Sequence, residues 1–337
     1  MVTGQMSEPG RKRELGRGER VLAGLWRLRL PLPWPGVPHC NAWALQAGDG
    51  VVLVDTGMHE PGAMEQLERA MGMVGLHVED VRLVVCTHAH SDHYGQAGPI
   101  VDRAGCELWM HPNHEHATRS LEDPAQALQR RLEVGRTSGV PELVLRRYAE
   151  VAKEQRPGIA RVVDPDLALL PGVEVETDLG AWQVIETPGH APSHVCLYQA
   201  ERRILLSGDH LLGRISLYYD YGWTPDPVGE FLRSLDAIEA LDPAPRLCLA
   251  GHARPFTDVQ AHIEANRELV AQRVAATAVA IEDRPLTAYE VVPHVHGPDA
   301  VHAAAWLLTE TLCYLRHLEA IGAARREEGD PERWVSV

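Results

Sequence analysis

Short apolar runs that end in polar or glycine turns recur along most of the chain. The clearest are VVLVDTG (51–57), VRLVVCTHAH (81–90), WQVIETPGH (182–190), RILLSGDH (203–210) and PRLCLAGH (245–252). Their length, and the turn residues that follow them, are typical of β-strands. Helical spacing falls between them, from Pro61 to about Met73 and from Asp226 to Leu241. The alternation predicts a mixed α and β fold.

One long segment interrupts the alternation. Residues from about 113 to 157 are charged and carry helical spacing in AQALQRRLEV and ELVLRRYAEVAKE. We expect an inserted set of helices, called the helical excursion below, between the strand at 81–90 and the strand at 182–190.

The two ends of the chain have different patterns from the middle. Residues 1–20 are charged and glycine-rich, and we expect a disordered leader there. The main domain then spans 21–258, and a connector helix is predicted for 259–284. Residues 285–337 predict two helices followed by a terminal hairpin, which is the order of a winged-helix-like unit.

Charge and composition argue against some classes of binding partner. The formal net charge is −15, from 47 acidic and 32 basic residues, and a negative surface repels nucleic acids and anionic membranes. No run of about 18 apolar residues is present, and residues 1–20 lack the apolar core of a signal peptide. We therefore expect a cytoplasmic protein. The six cysteines show no CxxC pairing, which favours reduced core residues over a structural zinc site.

Histidine and aspartate side chains follow the predicted strands. These side chains are Asp55, His88, His90, Asp92, His93, His190, Asp209 and His252. In α/β folds the strand ends converge on one edge, so we expect these residues to meet in a single site.

The segment THAHSDH supplies half of that set within six residues. His88 and His90 are two apart and project to the same side of an extended chain, while Asp92 and His93 follow where the chain turns. Imidazoles and carboxylates are natural ligands for zinc-class ions, and a site without cysteine ligands is typical of an open catalytic centre. Zinc is the default expectation, with iron and manganese as alternatives. A single histidine among 18 would carry little weight, but here spacing and location agree.

These motifs resemble those of the metallo-β-lactamase superfamily of hydrolases. The HxHxDH signature stands as His88, His90, Asp92 and His93, and the later motifs TPGH, SGDH and AGH follow in the same order, over roughly residues 20–258. The resemblance implies an αββα sandwich, in which two mixed sheets pack face to face with helices outside.

The resemblance also implies a role for each residue. His88, His90 and His190 would bind one divalent metal ion, and Asp92, His93 and His252 the second. Asp209 would bridge the two ions, and Asp55 would orient a ligand histidine from behind.

Hydrolysis is the chemistry that this site favours. The chain keeps His90 where flavodiiron relatives carry a carboxylate, which favours hydrolysis over redox chemistry. We expect a metal-bound hydroxide to attack an ester, thioester, lactone or amide of a small molecule, with Asp92 and Asp209 as catalytic residues.

The C-terminal residues keep a second function open. LTAYEVV and ETLCYLRHLEAIG resemble a winged-helix-like domain found in one branch of the superfamily, and this motivates a nuclease as the alternative. From Leu286 onward, however, four arginines stand against eight acidic residues, which disfavours nucleic acid. A packing or dimerisation module is the preferred interpretation, and a homodimer stays open. A non-catalytic metal-binding scaffold is the other alternative, against which the complete ligand set speaks.

The sequence does not identify the residues that contact the substrate. Tyr218, Tyr219, Tyr221 and Trp223 could line a pocket or belong to the core. The helical excursion could act as a lid over the metals, or it could pack its apolar face against the body of the protein. The lid interpretation, which we prefer, predicts a substrate with an apolar or acyl portion.

Overall fold

Two β-sheets form the centre of the structure between residues 17 and 250. The computed structural model describes residues 15–34, 36–302 and 305–337. The first sheet has seven strands, in the order β1 Arg17–Leu22, β2 Leu25–Trp34, β3 Val37–Ala47, β4 Gly50–Val54, β5 Val81–Cys86, β6 Glu107–Met110 and β7 Leu167–Ala168. Pairing is antiparallel from β1 to β4 and parallel from β4 to β7.

The second sheet has five strands and is mostly antiparallel. Its strands are β8 Glu174–Val175, β9 Trp182–Glu186, β10 Val195–Gln199, β11 Ile204–Gly208 and β12 Leu247–Ala250, in the spatial order β12-β11-β10-β9-β8. Only β11 and β12 pair in parallel. Strands β4, β10 and β11 are buried along their whole length, which explains their nearly continuous apolar sequences.

Helices cover both outer faces of the paired sheets. The helices are α1 Ala63–Gly72, α2 Ser91–Tyr94, α3 Ala97–Ala104, α4 Glu115–Glu122, α5 Pro124–Thr137, α6 Glu142–Glu154, α7 Pro227–Glu239, α8 Val259–Ala280, α9 Ala288–His296 and α10 Ala305–Ala320. Within the described residues, none of them is both long and apolar enough to cross a bilayer.

Three apolar clusters define the layers. Trp43 and Val52 of the first sheet share a buried cluster with Trp182 and Leu206 of the second, so the sheets pack face to face. Helices α1 and α3 pack on the outer face of the first sheet, and α7 and α8 on that of the second. The mixed α/β fold expected from the resemblance is therefore confirmed, with layers in the order helix, sheet, sheet, helix.

The boundary of the predicted leader was wrong. Residues 1–14 lie outside the described residues, but residues 17–20, which we assigned to a disordered leader, belong to β1. The glycines that suggested disorder allow close packing: a Cβ atom on Gly16 or Gly18 would overlap the backbone of α1 at Gln66 or Ala70. Glycine is needed there because β1 lies directly against α1.

The helical excursion consists of α4, α5 and α6. Helix α6 has no fully buried side chain, and Leu143 and Val151 are 61% and 56% exposed. The end of α5 contacts the C-terminal residues, where Tyr289 N donates to the carbonyl of Ser138 at 3.0 Å. Arg136 also forms an ion pair with Asp330.

After α8, the chain forms α9, α10 and a hairpin of β13 Ala324–Glu327 and β14 Arg333–Ser336. Thr287 and Glu290 form a capping box that starts α9. Leu312, Tyr314 and Trp334 lie in the same buried cluster as Phe231 of α7. The C-terminal unit therefore shares its core with the main domain.

Candidate metal centre

Five strand ends bring the predicted site residues to one edge of the molecule. Asp55 follows β4, His88 follows β5, His190 follows β9, Asp209 follows β11, and His252 follows β12. Strands β4 and β5 are parallel, as are β11 and β12. Strand β9 runs in the direction of β11, because both are antiparallel to β10. Within each sheet, therefore, these residues follow the matching ends of their strands.

His88, His90 and His190 form a three-histidine group. Their ring centroids lie 4.7 to 4.9 Å apart, and each ring has a nitrogen within 4.8 Å of the others. Nε2 of His190 lies 3.0 Å from Nδ1 of His90, and Nε2 of His88 is buried without a hydrogen-bond partner. The three inward nitrogens thus face one small volume.

The outward nitrogens of these rings are held by neighbours. Nε2 of His90 donates to Oδ2 of Asp220 at 2.9 Å, and Nδ1 of His190 donates to the carbonyl of Tyr218 at 3.2 Å. Nδ1 of His88 lies 3.0 Å from Oγ1 of Thr87. Because the outward nitrogens carry the protons, the inward nitrogens present lone pairs to the centre.

Asp92, His93 and His252 form a second group beside the first. Nε2 of His252 lies 3.1 Å from Oδ2 of Asp92, and Nε2 of His93 lies 3.5 Å from the same oxygen. The outward nitrogens are again occupied: Nδ1 of His93 donates to Asp55 at 2.8 Å, and Nδ1 of His252 donates to the carbonyl of His39 at 3.0 Å.

Asp209 lies between the two groups. Its carboxylate oxygens lie 3.4 Å from Nε2 of His93, 3.2 Å from Nε2 of His252 and 3.8 Å from Nε2 of His190. A Cβ atom on Gly251 would overlap Oδ1 of Asp209 and lie 2.6 Å from Cε1 of His93. The glycine of the AGH motif therefore leaves room for this carboxylate.

The carboxylates and histidines of the centre shift one another's pKa values. Burial alone would raise the pKa of Asp209, but His252 and His93 outweigh burial and hold that pKa well below its usual range. Burial lowers the pKa of His190 to about 4, and burial together with its histidine neighbours lowers the pKa of His88. Asp209 and Asp92 raise the pKa of His252 to about 10 despite its burial.

The donor set fits divalent transition-metal ions. Nε2 of His88, Nε2 of His93 and Oδ1 of Asp209 are buried atoms without hydrogen-bond partners. They belong to a set made only of imidazoles and carboxylates, which suits zinc, iron or manganese. All seven predicted ligands belong to groups whose donor atoms lie within 4.8 Å of one another.

Sequence reasoning missed several residues that support the centre. Nε2 of His194 accepts from the backbone N–H of Asp209 at 3.0 Å. Asn41 donates to the carbonyls of Ala250 and Ala253 at 2.8 and 3.0 Å, and the buried Arg27 donates to Asn41 Oδ1 at 2.9 Å and to the carbonyl of Ala253. These bonds fix the loop that carries His252. The HxxxH spacing of His190 and His194 was the one local signal for any of them.

The four aromatic residues after β11 have different environments. The ring of Tyr218 lies 5.5 Å from the rings of both His90 and His190, and Trp223 is 37% exposed beneath the guanidinium of Arg119 of α4. Tyr219 is buried in the core, and Tyr221 packs against it. Tyr218 therefore lies beside the three-histidine group, and Trp223 lies beside helix α4.

A match to a protein-family model shows which family the chain belongs to. The model of the metallo-beta-lactamase superfamily matches residues 35–252, which include every residue of the predicted site. The chain belongs to this superfamily.

Known proteins are similar to this chain over most of its length. The probable metallo-hydrolase YqjP of Bacillus subtilis is 28% identical over 297 residues, which cover 82% of this chain and 86% of the relative. The crystal structure of a metallo-β-lactamase family protein from Thermus thermophilus is 30% identical, with a TM-score of 0.78, and covers 94% of this chain and all of that one. A β-lactamase domain protein from Burkholderia ambifaria is 26% identical, with a TM-score of 0.72 and 94% coverage of both chains. The protein is a hydrolase of the metallo-β-lactamase fold.

Proposed function

We propose that this protein hydrolyses an ester, thioester, lactone or amide of a small molecule, with two divalent metal ions held at the strand ends. The observation that carries the proposal is the orientation of the imidazoles. Four ligand histidines, His90, His93, His190 and His252, have one nitrogen bound to a carboxylate or carbonyl and the other turned to the centre. Such second bonds are typical of histidines that hold a catalytic metal.

The two groups support a proposed set of ligands for each ion. His88, His90 and His190 would hold one ion, Asp92, His93 and His252 the other, and Asp209 would bridge them. The position of Asp209, within 3.8 Å of nitrogens from both groups, supports the bridging role. Zinc is the expected metal, with iron or manganese as alternatives.

Two such ions would supply Lewis acidity and would lower the pKa of a water molecule toward neutrality. The residues of the chain would do the positioning: Asp92 would orient the attacking water, and Asp209 would balance the charge of both ions. Asp55 holds His93 in the tautomer that presents Nε2 to the centre.

The substrate wall is formed on one side by Tyr218 and Trp223. Helix α4 lies beside them, because Arg119 stacks over Trp223 at 4.9 Å. We propose that the helical excursion covers this side of the centre and that the substrate carries an apolar or acyl portion.

The C-terminal unit would be winged-helix-like and would serve packing or assembly, and a homodimer is compatible with that role. Its shared core with α7 supports a packing role, and its acidic balance speaks against a nuclease. The acidic chain is proposed to act in the cytoplasm. Salt-sensitive binding of RNA or DNA would favour the nuclease instead.

A substrate screen tests the proposal. Purified protein reconstituted with zinc would be assayed against ester, thioester, lactone, β-lactam and phosphodiester substrates, with Asp209→Asn as the matched control. We expect a carbonyl substrate to be turned over by the wild type and not by the variant. Phosphodiester turnover alone would favour the nuclease, and equal rates for the two proteins would contradict the proposal.

A further inference from the structure

We propose that His116 and Asp220 are positioning residues that fasten helix α4 to His90, so that the helical excursion holds part of the three-histidine group in place. This inference rests on the proposed metal centre. Neither residue belongs to the metal-binding motifs, and each comes from a segment outside the five strand ends.

Asp220 is the link between the two histidines. Its Oδ2 atom accepts a hydrogen bond from Nε2 of His90 at 2.9 Å, and Nδ1 of His116 lies 2.7 Å from the same oxygen. The second contact is short but is not aligned as a hydrogen bond. The side chain of His116 is only 1% exposed, and that of Asp220 is 15% exposed. A carboxylate this buried interacts strongly with both rings.

Ser193 closes the network on the other side of His116. Nε2 of His116 lies 2.7 Å from Oγ of Ser193, and this oxygen accepts from the backbone N–H of Ala89 at 3.1 Å. Ala89 is the residue before His90. The contacts therefore run from His90 through Asp220, His116 and Ser193 back to Ala89, next to His90.

The protonation pattern of this ring of contacts is self-consistent. The Ser193 hydroxyl accepts from Ala89 N–H and so donates its own proton to Nε2 of His116. His116 then carries its proton on Nδ1, toward Asp220. With Nε2 of His90 also donating to Asp220, Nδ1 of His90 is left as the lone pair that faces His190, 3.0 Å away.

Helix α4 is consequently part of the site as well as a cover for it. Among the described residues, α4 reaches the network through His116, while α5 and α6 contribute no side chain to it. Shortening the helical excursion within α5 and α6 should preserve metal content. Removing α4 should instead weaken the binding of the ion held by His88, His90 and His190.

Variants of His116 separate positioning from simple packing. Asparagine places a nitrogen near the position of Nδ1 and keeps the contact with Asp220, whereas glutamine reaches the position of Nε2 and keeps only the contact with Ser193. His114→Ala is the matched control, because His114 lies two residues away and its Nε2 comes no nearer than 4.0 Å to a carboxylate. Zinc affinity would be measured by competition with a chelator, alongside circular dichroism.

We expect His116→Ala, His116→Gln and Asp220→Ala to weaken one of two zinc-binding events by about ten- to hundredfold. The zinc affinities of His116→Asn and His114→Ala should stay within about threefold of the wild-type affinity. If His116→Ala fails to fold, the Asn and Gln pair still decides the question.

Three results would overturn the inference. Equal affinities in wild type and all His116 variants would do so while leaving the proposed function standing. A third ion, lost in His116→Ala while the other two bind unchanged, would make His116 a ligand and remove the positioning role. A wild type that binds no ion after reconstitution would overturn the proposed function and this inference with it.

Discussion

The Nδ1 atom of His93 lies 2.8 Å from Oδ2 of Asp55. The opposite nitrogen of the ring therefore faces Asp92 and Asp209. Asp55 also accepts from the backbone N–H of Thr87 at 2.8 Å and from its hydroxyl, so one buried carboxylate fixes both ends of the HxHxDH turn. The backbone of Asp55 has a φ of 62°, a left-handed conformation that asparagine and aspartate tolerate better than alanine.

Asp55→Asn should weaken metal binding without breaking this turn. The variant tolerates the left-handed backbone but loses the charge and one of its two acceptor oxygens. We expect about a ten- to hundredfold loss of zinc affinity and a loss of about 1–3 kcal/mol in the free energy of unfolding. Chelator competition and urea denaturation measure the two effects. Wild-type zinc affinity in the variant would show that Asp55 does not orient a ligand.

Asp209→Ala should remove most hydrolytic activity while the fold is kept, because its carboxylate reaches both groups from the end of β11. His210→Ala is the matched control. His210 is 1% exposed and packs on Phe231 at 4.8 Å, so we expect it to cost about 2–4 kcal/mol in the free energy of unfolding and to retain both ions. Turnover by Asp209→Ala at the wild-type rate would contradict the bridging role.

The clustering of the proposed ligands could be predicted from the sequence because each follows a strand, and strand ends of an α/β fold meet at one edge. His88 and His90 stand in one short motif, and His190, Asp209 and His252 follow apolar runs. Asp220 and His116 could not be found in this way. They come from a loop and an inserted helix, and their partners are more than 70 residues away in sequence.

The wrong boundary of the predicted leader shows a different limit of prediction from sequence. Glycine and charge around residues 16–20 favoured disorder, but glycine there serves close packing of β1 on α1. Composition alone cannot distinguish a glycine that provides freedom from one that provides room.

Arg27→Lys should loosen the loop that carries His252. A lysine keeps the charge beside Glu19 but has a single amine in place of the guanidinium, which contacts Asn41, His39 and the carbonyl of Ala253. We expect a loss of about 1–3 kcal/mol in the free energy of unfolding, together with weaker zinc binding. Arg20→Lys, at an exposed position of β1, is the control and should match the wild type. Equal stability of the two variants would argue against a role for Arg27.

Removing the residues after 284 should destabilise the whole protein, although every proposed ligand precedes that point. Phe231 and Tyr219 would lose Leu312, Tyr314 and Trp334 from their shared cluster. We expect poor solubility and no cooperative thermal unfolding by circular dichroism. A truncated chain that unfolds cooperatively near the wild-type temperature would show that the unit is independent.

The acidic C-terminal unit should give no affinity for nucleic acid. Full-length protein at micromolar concentration should not shift labelled duplex or single-stranded probes at low salt. Binding that disappears on truncation would identify the unit as a nucleic-acid module instead.

Metal stoichiometry tests the central claim most directly. Protein purified without chelator, and protein reconstituted separately with zinc, iron and manganese, would be analysed for metal content per chain. The seven proposed ligands, which converge on one site, predict about two ions per chain with at least one of these metals. At most one ion per chain under every condition would contradict the dinuclear centre.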